Sequence, residues 1–175
     1  MTDWPHLTTD RLILRALRQE DAAELARIGG DPRVAPMIFV ASSPWPVEDA
    51  AEVIAQAAYD GGPAFRVAVA LKERGTFIGM LSLFDDASIG YFIDPAQARR
   101  GYASEAVSAF VEAAFASGGM EEVKAEVFTD NPASTAMLLK LGFEETGKGM
   151  AKSRARLEPA PVKLYRRRKA QGTGT

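Results

Sequence analysis

The junction at residues 94–103 constrains this chain more than any other stretch. From 64 to 94 apolar residues recur with a period of two: Phe65, Val67, Val69 and Leu71, then Phe77 to Phe84, then Ile89, Tyr91 and Ile93. Breaks at Arg74-Gly75 and Asp85-Asp86 divide the run into three antiparallel strands. From 103 to 117 the period turns helical, with Val107, Phe110, Val111, Ala114 and Phe115 on one stripe and Gly118-Gly119 beyond its end. A meander that feeds its last strand straight into an amphipathic helix excludes all-α and all-β classes.

The flanking segments extend this pattern. Residues 11–16 read as a strand, and 20–28 as a short helix with Ala22, Leu25 and Ile28 inward, stopped by Gly29-Gly30-Asp31-Pro32. A second helix is predicted over 47–60, with Val47, Ala50, Ala51, Ile54, Ala57 and Ala58 on one face and Gly61-Gly62-Pro63 as its stop. After the third helix, Val123, Ala125 and Val127 alternate as a strand, and Asn131-Pro132 opens a helix with Met137, Leu138 and Leu141 inward. Leu141-Gly142-Phe143 closes that helix, and one or two strands follow, the last over 161–167. The class is α+β with a mixed sheet.

At 175 residues, against about 150 per domain, one domain is expected. Its extent is 1–168, with 169–175 as a disordered tail. Lys and Arg total 21 against 23 Asp and Glu, so the net charge of -2 gives no reason to expect a nucleic-acid or membrane partner. The run Arg166-Arg167-Arg168-Lys169 reads as a solvated end after the last strand rather than as a phosphate contact. With no cysteine, thiolate metal sites, disulfides and thiol nucleophiles are excluded, and with His6 alone so is a multi-histidine site; no metal is expected. Met1-Thr2-Asp3-Trp4-Pro5 has neither the basic nor the apolar region of a secretory signal, and no apolar run approaches about 20 residues, so a cytoplasmic location is expected.

The turn between the third strand and the third helix carries the clearest chemistry. A helix N-terminus offers unpaired N–H groups and partial positive charge, which suit a phosphate or pyrophosphate. Arg99 and Arg100 add two charges, Gly101 permits close backbone approach, and Ser104 brings a hydroxyl. An ordinary connection with two exposed arginines fits the same residues, and the spacing matches neither a P-loop nor the dinucleotide glycine pattern. Asp94-Pro95 ends the strand and interrupts pairing, which splays it from its neighbour. Asn131 and Ser134 mark a good helix start, whose hydroxyl either caps locally or points into a cleft. Asp85 and Asp86 are the paired carboxylates of this region, either general-base candidates or members of a solvated hairpin turn.

In this order the segments resemble the GNAT acetyltransferases, and more narrowly the RimJ/RimL-like branch named for ribosomal-protein N-terminal acetyltransferases. The residues that carry the resemblance are Leu7-Thr-Thr-Asp-Arg-Leu-Ile-Leu-Arg15, Asp21-Ala22, Ile78-Gly79, Ile89-Gly-Tyr91, Arg100-Gly-Tyr-Ala-Ser-Glu-Ala106, Asn131 with Ser134, and Lys140-Leu-Gly-Phe143. It runs from about residue 7 to 165. It implies a splayed, mostly antiparallel mixed sheet of about 6–7 strands flanked by about 4 helices, with acetyl-CoA in the V between strands 88–94 and 122–128.

By family position, Arg99, Arg100, Gly101, Tyr102, Ala103 and Ser104 hold the pyrophosphate. The backbone of Phe92, Ile93 and Asp94 pairs with the pantetheine arm, and Asn131 contacts the arm from the far side. Ser134 then lies near the thioester sulfur. Ser134, Asn131 and Asp85 are the catalytic candidates, and Phe39, Trp45, Arg154 and Tyr165 those on the acceptor side, where Trp45 between two prolines equally suits packing. Two positions depart from the family: Ala98 stands where Arg or Gln is frequent, and Leu138 where many members carry a tyrosine acid. Glu105 after the loop is expected to bond structurally.

The implied activity is transfer of the acetyl group of acetyl-CoA to a primary amine, either a protein N-terminal α-amine or a small molecule. With no cysteine, direct attack in a ternary complex is expected, from a monomer or homodimer. A backbone N–H at Ile93 or Asp94 would stabilise the oxyanion. The rival readings are a non-catalytic GNAT-like module that binds CoA or a partner, and a basic-tailed RNA-associated protein.

Overall fold

A computed structural model describes residues 5–117 and 119–172. The readings at Met1–Trp4, at Gly118 and at 173–175 lie outside the described residues. Eight described strands form one open sheet in the order β1-β2-β3-β4-β5-β6-β8-β7. They are β1 (Leu7–Thr8), β2 (Leu12–Ala16), β3 (Phe65–Leu71), β4 (Phe77–Leu83), β5 (Ser88–Ile93), β6 (Glu122–Phe128), β7 (Glu144–Ala151) and β8 (Ala160–Arg168). Every neighbouring pair is antiparallel except β5 with β6.

Helices cover both faces. α1 (Ala22–Gly29) and α2 (Val47–Ala55) lie on the face of Ala68, Met80 and Phe92. On the opposite face α3 (Tyr102–Ala116) packs Phe110 among Val67, Leu81 and Val123, and α4 (Pro132–Lys140) adds Leu138. β4 is therefore buried at all seven positions, which is why residues 77–84 read as a nearly unbroken apolar run. No described helix is long and apolar enough to cross a membrane.

The mixed α/β fold is as expected, with one strand more than the upper count. β1 has two residues, too few to carry a period, and β7 is an edge strand with no buried position. The second helix ends at Ala55, five residues short of the predicted 60, because the chain turns so that the Ala57 carbonyl accepts the N–H of Arg66 as β3 begins. Val47, expected inward, is exposed at the helix start.

The basic run is corrected too. Arg166, Arg167 and Arg168 belong to β8, and they pair with Glu144, Glu112 and Glu122 respectively, while Lys169 approaches Glu121. Those acids come from α3, β7, β6 and the residue before β6, too far away in sequence to be visible beside the cations.

One buried ion pair anchors α1 to β2. Arg15 donates to both oxygens of Asp21, at 2.8 and 2.9 Å, and the Arg18 N–H donates at 2.8 Å. Burial alone would raise the Asp21 carboxyl, but these bonds outweigh it and hold it below the usual aspartate range. A lowered folded-state value gives stability that is present above the unfolded value of about 3.9 and lost as pH falls through the folded one. The melting temperature of the wild type should therefore drop more steeply between pH 5 and 3 than that of Asp21→Asn; parallel curves would remove this contribution.

Candidate functional site

The site begins where β5 and β6 part. They pair at Ser88 with Lys124 and at Ile89 with Ala125, and at no later residue. The bonds from Phe84 N–H to the Ser88 carbonyl and from Asp94 N–H to the Ile78 carbonyl set the phase of the β4–β5 ladder. Even-numbered residues of β5 face β4, so Ile89, Tyr91 and Ile93 turn their peptide groups toward β6. Beyond Ile89 that edge has no strand partner, which leaves Tyr91 and Ile93 to pair with an extended ligand. Asp94 differs from expectation, since its N–H is spent on Ile78 at 2.7 Å, and Ile93 is left as the oxyanion candidate.

Asp94 organises the turn instead. Its buried carboxylate caps the following 3-10 turn by accepting the Ala96 N–H at 2.9 Å and is held by Arg27 of α1 at 2.8 Å. Arg99 and Gly101 then take left-handed φ values of 62° and 78°. Left-handed residues set beside right-handed ones point successive N–H groups into one concavity. From Arg99 to Ser104, six consecutive backbone N–H groups have no acceptor among the described residues.

Arg11 braces this loop from β2's approach. It donates to the Arg100 carbonyl at 2.8 Å and to Glu105 at 2.7 Å, and its guanidinium lies 4.5 Å from the Tyr102 ring centre. Glu105 also accepts from Thr9 Oγ1 at 2.6 Å and from the Arg11 N–H at 2.9 Å. Burial alone would raise Glu105, but these donors hold it below the ordinary glutamate range, so it is a structural acceptor. The side chains of Arg99 and Arg100 are exposed and enter no ion pair among the described residues.

Across the slot, Asn131 caps α4 by accepting the Ser134 N–H at 3.3 Å, and Pro132 starts the helix. The Ser134 hydroxyl is hydrogen-bonded to the Tyr91 hydroxyl, which joins the two walls of the splay. Burial pushes the Tyr91 phenol up to about 12, against the opposing effect of the Ser134 bond. Leu138 is fully buried and supplies packing only.

Asp85 is not brought to these residues. It is exposed in the β4–β5 turn, and strand residues Ser88 to Gly90, about 10 Å, separate that turn from Tyr91. Its neighbour Asp86 serves the turn, accepting the Ser88 N–H at 3.0 Å and the Ser88 hydroxyl at 2.5 Å. Glu126, which the sequence reading passed over, stands closer. It is the first β6 residue past the last β5–β6 pair and lies on the face opposite buried Val127, where it is exposed. Partial burial against the sheet and then the Asp86 charge raise its carboxyl above the usual value, although the residue is exposed overall. The alternation of Val123, Ala125 and Val127 already turned Glu126 outward, which was the available signal.

The four acceptor-side candidates separate. Phe39 is 40% exposed and lies 5.4 Å from the ring of Phe128 at the end of β6. Arg154 is exposed near the Val40 carbonyl at 3.5 Å. Trp45, in contrast, is 4% exposed and packs on α1, where a Cβ at Gly29 would meet its ring at 2.7 Å; it is a core residue. Tyr165 is 2% exposed on β8, facing Ala125, and also belongs to the core. Arg156 braces the acceptor side. It makes a two-pronged bond to Asp130 at 2.8 and 3.0 Å, donates to the Pro36 carbonyl at 2.7 Å and covers the Phe128 ring at 4.0 Å.

Comparison with known proteins fits this geometry. The acetyltransferase (GNAT) domain family matches residues 11–144. YoaA of Bacillus subtilis (strain 168), an uncharacterized N-acetyltransferase, is 32% identical over 152 residues, 82% of this chain and 85% of that one. Among solved structures, the ribosomal-protein-S5-alanine acetyltransferase of Vibrio fischeri superposes with a TM-score of 0.77 at 18% identity, over 93% of this chain and 96% of its own. The spermidine N-acetyltransferase of Vibrio cholerae, solved with CoA and spermine, gives 0.77 at 17%, over 91% and 96%. The unpaired edge of β5 and the row of unspent N–H groups thus belong to a fold those proteins share, and the domain match over most of its length makes this chain a member of the GNAT acetyltransferase family.

Proposed function

We propose that this chain transfers the acetyl group of acetyl-CoA to a primary amine, a protein N-terminal α-amine or a small-molecule amine, within a ternary complex. The observation that carries this reading is the run of six N–H groups from Arg99 to Ser104 that have no acceptor among the described residues, a run that begins with two exposed arginines and follows the unpaired edge of β5. A pyrophosphate satisfies the N–H groups, and an extended amide arm satisfies Tyr91 and Ile93. Structural relatives act on both kinds of acceptor: one is named for a ribosomal-protein alanine and another for spermidine.

An amine of pKa near 8 to 10 must lose a proton before it attacks the thioester. Glu126, with its raised carboxyl at the vertex of the splay, is the proton acceptor, directly or through water. The C–N bond forms as the carbonyl oxygen gains charge, which the Ile93 N–H stabilises. The C–S bond then breaks, its electron pair leaves with sulfur near Ser134, and the second proton of the former ammonium nitrogen passes through water to the thiolate.

The test is thiol release from acetyl-CoA with a panel of acceptors: N-terminal peptides, polyamines and free amino acids. At least one acceptor should give turnover that depends on both substrates, with Glu126→Gln lowering kcat about 10²-fold. The buried leucine at 138, where many family members have a tyrosine, favours a second reading, a module that binds CoA without turnover. Tight binding of acetyl-CoA with no acceptor turning over would select it.

A further inference from the structure

Tyr91 and Ser134 meet across the slot, and the proposed reaction uses the backbone of Tyr91 but not its hydroxyl. Tyr91 sits on β5 with its side chain on the face of Ile89 and Ile93, toward α4. Ser134 is in the first turn of α4, its backbone fixed by the Asn131 cap. Among the described residues, their hydroxyls form the only side-chain hydrogen bond between β5 and α4.

Direction matters in such a bond. A serine hydroxyl has one hydrogen and two acceptor sites, and a phenol is much the more acidic donor. Acidity favours Tyr91 as the donor to Ser134 Oγ, an arrangement that leaves the serine hydrogen for another acceptor. Burial keeps the phenol protonated through the neutral range, so this orientation persists wherever the enzyme would work. The same burial makes Tyr91 a poor proton source, since a tyrosinate in that setting is costly.

We propose that Tyr91 is a positioning residue: by donating to Ser134 Oγ, it turns the serine O–H toward the sulfur that leaves in acetyl transfer. This rests on the reading that acetyl-CoA occupies the slot. In the step itself the C–S bond breaks, the electron pair goes to sulfur, and the Ser134 hydrogen bond stabilises the thiolate. The proton that finally neutralises the thiolate is the one the nitrogen releases after the C–N bond has formed, delivered through water, while the first stays with Glu126 until it passes to solvent, so neither hydroxyl changes its ionisation over the cycle. The interaction is realised only as charge builds on sulfur, so its loss should appear in kcat rather than in binding.

The experiment compares wild type, Tyr91→Phe, Ser134→Ala and the double variant for kcat, KM of each substrate and the Kd of acetyl-CoA by titration. Tyr91→Phe removes one oxygen, and an unchanged Kd reports that each variant is folded with its slot intact. The expected result is a kcat loss of about 10-fold or more in each single variant, with Kd and both KM values within about twofold. The double variant should lose no more than Ser134→Ala alone, because Tyr91 acts through the serine. Wild-type kcat in Tyr91→Phe, or losses that multiply in the double variant, would overturn the positioning role. Failure of the wild type to bind acetyl-CoA is a separate outcome that overturns the underlying reading, and this proposal with it.

Discussion

Arg99→Glu with Arg100→Glu is expected to raise the KM for acetyl-CoA by about two orders of magnitude and leave kcat at saturation within about threefold. Each charge-assisted bond to a phosphate oxygen contributes about 1.5–3 kcal/mol, and about 2.7 kcal/mol corresponds to a hundredfold change in affinity. Reversal also places two negative charges beside a bound pyrophosphate, which adds repulsion that salt will partly screen. Both side chains are exposed and unpaired among the described residues, so the folded state loses no ion pair when they change. The KM for the amine should stay near its original value. An equal rise for both substrates would mean that the loop supports the fold or the acceptor rather than the nucleotide end of the donor.

Gly79→Ala is expected to be the costliest single methyl group in the molecule. A Cβ at Gly79 would overlap the carbonyl oxygen of Phe92 and lie 2.9 Å from Ile93 Cδ1 and 3.1 Å from Ile93 Cα. The obstacle is backbone, and β4 has no room to retreat because β3 pairs along its other edge. Overpacking of this kind costs about 3 kcal/mol, which for a chain of this size lowers Tm by about 6–12 °C. It also moves Ile93, whose N–H is the oxyanion candidate, so kcat should fall further than the stability loss explains. Thermal unfolding followed by circular dichroism checks the first effect, and an unchanged Tm would mean that β4 and β5 are not packed this closely.

What was legible in the sequence follows from whether the signal is local. The meander and the strand–turn–helix unit were visible because alternation and helical periodicity are properties of neighbours, and because Gly101 and the two arginines lie within three residues. β7 was indistinct because its residues bury nothing; pairing with β8 holds it in the sheet, and a register shift between Glu145 and Gly147 breaks even a formal alternation. The sequence left Trp45 open between substrate wall and packing, because Gly29 and Gly30, which provide the flat surface on which it packs, lie sixteen and fifteen residues earlier.

The site shows the same division. The loop residues were readable as a contiguous motif, but the brace that shapes the loop comes from Arg11, some 90 residues away. Tyr91 read as an inward strand residue, and its hydroxyl partner is 43 positions distant. Asp85 and Asp86 stand out in the sequence as adjacent carboxylates and Glu126 does not, while which end of the splay each occupies depends on where pairing stops. Charge patterns were the least transferable: the run Arg166 to Lys169 looked solvated until α3, β7, β6 and the residue before β6 brought glutamates to it.

The most direct test of the acetyl-CoA seat is calorimetric titration of the wild type and of the Arg99→Glu, Arg100→Glu variant with acetyl-CoA. The expected result is one site per chain in the wild type with a Kd near the micromolar range, about -8 kcal/mol, weakened about a hundredfold in the variant. Absence of binding to the wild type at millimolar acetyl-CoA, or equal affinity in the two proteins, would contradict the assignment of the Arg99–Ser104 cradle to the donor.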